Sequence, residues 1–247
     1  MNIIIVLLII LLTLMIAVGG KRGAKSFFAL CMNFVTLFIM LLLMAFRLDP
    51  VKVTILGSVI ITSITLFYIN GWNRKTVSSL LSVLLAVLLT MLLTYKAGTG
   101  ARIQGFSYEQ SESISSFSLY IQLNFSKLVI CQILIGLLGA IIDVSITISS
   151  SMNELRSKDP SMLRLKLFFS GMNIGKDILG TMTNTLLFAY IGGFMTLVIY
   201  FNELHYSFAD IINSKIFCTE AFQALSGGIG IILIIPITAL AASRILK

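Results

Sequence analysis

Asp143 lies well inside an apolar run, residues 127–151, that is long enough to cross a bilayer. An ionised carboxylate at that depth costs about 2.5 to 3.5 kcal/mol, so such an acid usually marks a path for ions or protons. Its neighbours follow the same logic. Gly136, Gly139, Asp143, Thr147, Ser150 and Glu154 recur at intervals of three or four and share one helix face, small and polar, while the other faces are Leu, Ile and Val. The next run, 178–200, has a second polar stripe of Asp177, Thr181, Asn184 and Thr185, with Gly180 and Thr183 adjoining.

The chemistry of such a pair of stripes is protonation. A membrane carboxylate is neutral with its proton and charged without it, and Ser, Thr and Asn can hydrogen-bond either form. Asp143 lies about eight residues above the inner end of its run and Asn184 about six above that of its own. Both are then about 10 Å inside the membrane and meet if the two helices pack side by side. One reading is a proton-coupled transporter: Asp143 carries the proton, Thr147, Ser150, Thr181 and Asn184 are hydrogen-bond partners, and Glu154 and Asp177 form an acidic cytoplasmic mouth. The other is a noncatalytic scaffold or assembly subunit in which Asp143 bonds neighbouring helices and holds the bundle together.

Composition decides what must position these residues. With 57% hydrophobic and 11% charged residues and a mean hydropathy of +1.01, the chain cannot hide its apolar surface in a soluble core. An all-α, polytopic transmembrane bundle is expected, a single domain over 1–247. Its apolar runs predict about seven spans, at roughly 2–19, 27–46, 51–69, 77–95, 127–151, 178–200 and 223–245. The first run lacks a basic start and is too long for a cleaved signal, so it reads as a true helix.

Charge sets orientation. Lys21, Arg22, Lys25, Arg74, Lys75, Arg156, Lys158, Arg164, Lys166, Lys176, Arg244 and Lys247 fall on one side of the crossings, against Arg47, Lys52, Lys96, Arg102, Lys127 and Lys215 on the other. The richer side is cytoplasmic, which puts the amino terminus outside and the carboxyl terminus inside. The net charge of +8 is thereby assigned to loops facing anionic lipid, and no basic patch interleaved with aromatics points to nucleic acid.

Two connections exceed simple turns. The outer segment 96–126 carries Glu109, Glu112 and a set of Phe and Tyr suited to the headgroup layer. The cytoplasmic segment 152–177 alternates Leu and Phe with Arg164 and Lys166, which predicts a short amphipathic helix at the inner surface.

These stretches carry two resemblances. Gly136–Glu154 and Ser170–Thr185, with Gly19-Gly-Lys-Arg-Gly-Ala-Lys25 and Phe67-Tyr-Ile-Asn-Gly71, resemble the YibE/F family of bacterial membrane proteins. The absence of a large outer domain looks more like its YibF than its YibE member. That resemblance implies a multi-span protein of the bacterial plasma membrane, paired as a homodimer or as a heterodimer with a YibE-like subunit. Residues 130–200 are also similar to the central helices of RND permeases and of SecD and SecF, whose intramembrane acid would map onto Asp143. The pattern departs from theirs in having Val144 after Asp143, no basic residue inside the predicted spans away from their ends and no large outer domain.

Other chemistry finds little support. Cys31, Cys131 and Cys218 are too scattered for a metal or redox motif and are expected to be buried thiols. His205, near Glu203 and Asp210, is expected to be a solvated loop residue. No nucleophile, zinc or phosphate-loop motif is present, so neither an enzyme nor a bound cofactor or metal is expected. Small residues Ser226, Gly227, Gly228 and Gly230 permit close helix approach, and Pro236 can kink the last span.

Overall fold

The computed structural model describes residues 3–101, 125–203 and 205–246. Their regular structure is helical throughout: α1 (Ile3–Ala45), α2 (Pro50–Ser63) extended by a π-helical turn (Ile64–Tyr68), α3 (Arg74–Ala101), α4 (Phe125–Lys158), α5 (Arg164–Glu203), α6 (Phe208–Asn213) and α7 (Lys215–Ile245). Five helices are long and apolar enough to cross a membrane, and a sixth is added if the bent pair Arg164–Gly193 and Met195–Glu203 forms one span. Most of the expected outer segment, residues 102–124, lies outside the described residues.

At 43 residues, α1 contains both of the first two apolar runs. Its backbone leaves helical geometry at Gly20, with φ 56° and ψ −133°, a conformation that only glycine adopts without strain. The chain folds back sharply there, since a Cβ on Gly23 would collide with the backbone carbonyl of Met15. Residues eight apart on a straight helix would be about 12 Å apart. Lys21, Arg22 and Lys25 gather around this turn.

The segment 152–177, expected at the cytoplasmic surface, differs from the expected separate amphipathic helix. Its first residues continue α4 to Lys158, and residues 164–177 are the opening turns of α5. Pro160 explains the only break, because the residue before proline is disfavoured in α geometry. The turn is fixed by Asp159 Oδ1, which accepts from Ser161 N at 3.1 Å and Ser161 Oγ at 2.6 Å, and by Arg156 donating to the Met162 carbonyl. Beyond it no helix breaker intervenes: Gly171 and Gly175 face Met152 and Ile235 so closely that a Cβ would strike them, which makes them packing glycines. Leu167 is buried there, while Leu163, Leu165 and Phe169 are exposed together with Arg164 and Lys166, so apolar and charged side chains share the open surface.

The core forms around α4. Leu134, Leu137, Ile141, Val144, Ile148 and Met152 are fully buried against Val83 and Ala86 of α3 and Ile231, Ile234 and Ala239 of α7. α7 packs extensively on both α4 and α5, and Pro236 is accommodated inside it without ending the helix. Asp49 ties α2 to α4. Its Oδ1 accepts from Val51 N at 3.0 Å and caps α2, while Oδ2 lies 2.7 Å from Lys127 Nζ at the start of α4.

Two predictions follow from these junctions. Gly20→Ala should destabilise the protein by about 1 to 3 kcal/mol, whereas Gly19→Ala, with open space around it, should be nearly neutral; denaturation in detergent micelles compares them. The Lys127 hydrogen bond, aided by Val51 N–H and the Lys52 charge, holds the Asp49 carboxyl below the usual aspartate range. A depressed carboxyl contributes stability in full above its unfolded value of about 3.9 and loses it as pH falls through the folded value. Asp49→Asn keeps a capping side chain and should therefore be slightly less stable than wild type at neutral pH, the difference closing in strong acid.

Candidate functional site

α4 is buried on most of its circumference, with one narrow stripe left open. Gln132, Gly136, Gly139, Asp143, Thr147 and Glu154 are exposed along it and Ser150 is half-buried. Among the described residues of α4, no large apolar side chain is exposed, whereas α1, α2, α3, α5 and α7 all present exposed Leu, Ile or Phe. The periodicity read from the sequence therefore identifies a real face. It points out of the protomer rather than into a seam between α4 and α5.

The second stripe also faces outward. Asp177, Gly180, Thr181, Asn184 and Thr185 are exposed on the inner half of α5, whose outer half exposes Leu187, Phe188, Ile191 and Met195 instead. Two contacts fix the antiparallel register: Gly171 lies against Met152, and Gly136 against the Tyr190 hydroxyl. Asp143 is then level with about residues 180–183 of α5. Asn184 is thus close in depth to Asp143, as expected, but no hydrogen bond joins Asp143 to Asn184 or Thr181 among the described residues.

The hydroxyls satisfy themselves locally. Thr147 Oγ1 donates to the Asp143 carbonyl at 2.7 Å, Thr181 Oγ1 to the Ile178 carbonyl at 2.9 Å and Thr185 Oγ1 to the Thr181 carbonyl at 2.8 Å. The Asp143 carboxylate has no hydrogen-bond or ion partner among the described residues. Glu154 and Asp177 are exposed near the inner end, where an acidic mouth was expected.

The polar contacts that do tie α4 to its neighbours come from residues between the predicted ones. Ser145 Oγ donates to the Ser79 carbonyl and Ser79 Oγ to the Ser145 carbonyl, both at 3.3 Å. Thr238 Oγ1 donates to Ser145 Oγ at 3.1 Å, and Ser78 Oγ to Ser149 Oγ at 3.3 Å. All five residues are buried. The pairs Ser145/Ser149 and Ser78/Ser82, each four apart in an apolar run, were the available signal for this close approach of α3, α4 and α7.

A separate polar node lies in the outer half. Gln132 Nε2 donates to Gln223 Oε1 at 3.1 Å, and a Cβ on Gly136 would sit 2.7 Å from Tyr190 Oη and 2.9 Å from Gln223 Nε2. Gly136 thus makes room for α5 and α7, while Gly139 has open space before it. The node closes one side of an apolar cleft of about 460 Å3, lined by Met40, Met44, Leu128, Cys131 and Ile135 among others.

Of the cysteines, Cys131 is buried, Cys218 is half-buried and Cys31 is exposed, which corrects the expectation of three buried thiols. Cys31 lies on the second half of α1, beside exposed Leu30, Met32 and Phe34. His205 occupies the turn after α5 with a φ of 52°. Its neighbour Asp210 serves as a helix cap, exchanging hydrogen bonds with Ser207, which hold its carboxyl below the usual range.

Long apolar helices, an apolar outer surface and polar groups confined to helix contacts and one face define an α-helical membrane protein. The chain belongs to the YibE/F-like protein family, whose model matches residues 7–247. No curated protein and no solved structure matches it.

The Ser145–Thr238 contact predicts a measurable coupling. A double-mutant cycle with Ser145→Ala and Thr238→Val should return an interaction of about 0.6 kcal/mol, the average for hydrogen bonds between membrane helices, while the pair Ser145→Ala and Thr147→Val should be additive.

Proposed function

We propose that this protein is the membrane subunit of a proton-coupled transporter, with Asp143 taking up and releasing the proton. The supporting observation is the unpartnered Asp143 carboxylate on a polar stripe inside the apolar layer. Within the protomer no group among the described residues fixes the charge of this carboxylate, so its protonation state is left to what meets the face. Thr147, Ser150 and Glu154 continue the stripe toward the cytoplasm and provide a hydrated route to it, with Asp177, Thr181 and Asn184 exposed on the corresponding half of α5. Its face is open to a partner or to water, and proton arrival there can bias between two packings of that face.

The same reading divides α1 at Gly20 into two crossings and counts α5 as one, for seven in all. The amino terminus then lies outside and the carboxyl terminus inside a bacterial plasma membrane, with the basic turn at Lys21, Arg22 and Lys25 in the cytoplasm. A static assembly subunit is the second reading, favoured by the outward direction of the Asp143 face, which suits docking as well as transport.

Asp143→Asn separates them, since it is nearly isosteric and keeps hydrogen bonding. In proteoliposomes with equal incorporation, a proton carrier should lose at least about tenfold of its flux, as for loss of an essential acid–base group, and an assembly subunit should lose none. Equal flux in both proteins would overturn the transport reading.

A further inference from the structure

We infer that a second copy of this chain covers the Asp143 stripe, so that Lys176 of each copy meets Asp143 of the other. The inference rests on Asp143 being the membrane-embedded working acid, as read above, and names what completes its site.

An exposed face without large apolar side chains is a poor surface for hydrocarbon. Intramembrane carboxylates almost always face protein or water. The α4 stripe, with open space before its Gly139 and before Gly180 on α5, is therefore an uncompleted contact surface. Its charge pattern selects the occupant. Lys176 is exposed on the inner half of α5, in the region that carries the second polar stripe, and makes no ion pair among the described residues. The α4–α5 register puts it about 6 to 10 Å closer to the cytoplasm than Asp143, a gap that a lysine's flexible four-carbon stem and an aspartate together can close.

Within one protomer the two charges do not pair. Copies inserted in the same orientation are related by rotation about the membrane normal, which preserves depth. The commonest closed arrangement is a two-fold pair. Such a pair brings each unpaired acid to the unpaired base of the other copy and satisfies both twice. Close approach is permitted by the small residues at Gly139 and Gly180.

The test uses full-length chain expressed in membranes, with Cys31, Cys131 and Cys218 replaced by Ala. Gly139→Cys should give an oxidised dimer about tenfold in excess over Leu92→Cys on the apolar face of α3, since proximity sets the effective concentration of the two thiols. Separately tagged Asp143→Lys and Lys176→Asp chains should co-purify as a mixed pair about tenfold better than either pairs with itself, because opposite charges replace like charges at both contacts. Equal cross-linking at both positions, a folded chain that stays monomeric, or a Gly139→Cys adduct to a different polypeptide would overturn the inference. Proton flux is read independently: loss of flux in Asp143→Asn without dimers defeats only the pairing, and dimers with undiminished flux in Asp143→Asn defeat only the transport reading.

Discussion

The cost of presenting a polar group to hydrocarbon governs this molecule, and α4 shows it best. Four neighbours, α2, α3, α5 and α7, surround the helix, and most of what it offers them is branched apolar side chains and serines. Ser145 and Ser149 are small enough for α3 and α7 to come close, and their hydroxyls reach across to backbone or hydroxyl partners. Backbone polarity is already consumed by the helix itself, so each remaining polar atom must find its own partner. Most do, and Asn33 Oδ1 and Ser58 Oγ are among the buried exceptions.

The same constraint explains what could be read from the chain alone. All seven apolar runs lie on helices, because hydrophobic length is a direct consequence of bilayer thickness. Helix ends were less legible. The run that starts α5 was assigned to the inner surface on account of its alternating charge, yet nothing between Arg164 and Glu203 stops a helix except packing, and the glycines there serve packing. The fold-back at Gly20 was visible only as Gly19-Gly20 followed by positive charge.

Periodicity has a more specific limit. It groups Gly139, Asp143, Thr147 and Ser150 on one face, and the structure keeps that grouping. It cannot say whether the face looks inward or outward. In a soluble protein a polar face is assigned to water by default, while in a membrane the default is the interior. Here the interior is supplied by the interleaved Ser145 and Ser149, which look less distinctive in sequence than an acid does. Asp143 drew attention to the right helix and to its opposite side.

Hydroxyls and charged groups then divide by what they demand. Thr147, Thr181 and Thr185 bond the carbonyls of their own helices, so they lend polarity to a face without requiring anything to cover it. Asp143 has no such local solution, because a carboxylate has only acceptors and an α-helix has no free N–H groups away from its first turn. Lys176 is the mirror case, a donor with a long stem among residues whose carbonyls are already engaged. The free energy at stake on the exposed face is thus concentrated in very few groups rather than spread over the stripe. A surface built that way can be held by many weak contacts and switched by one proton, since neutralising a single carboxylate removes most of the electrostatic demand while leaving the small residues and self-bonded hydroxyls unchanged.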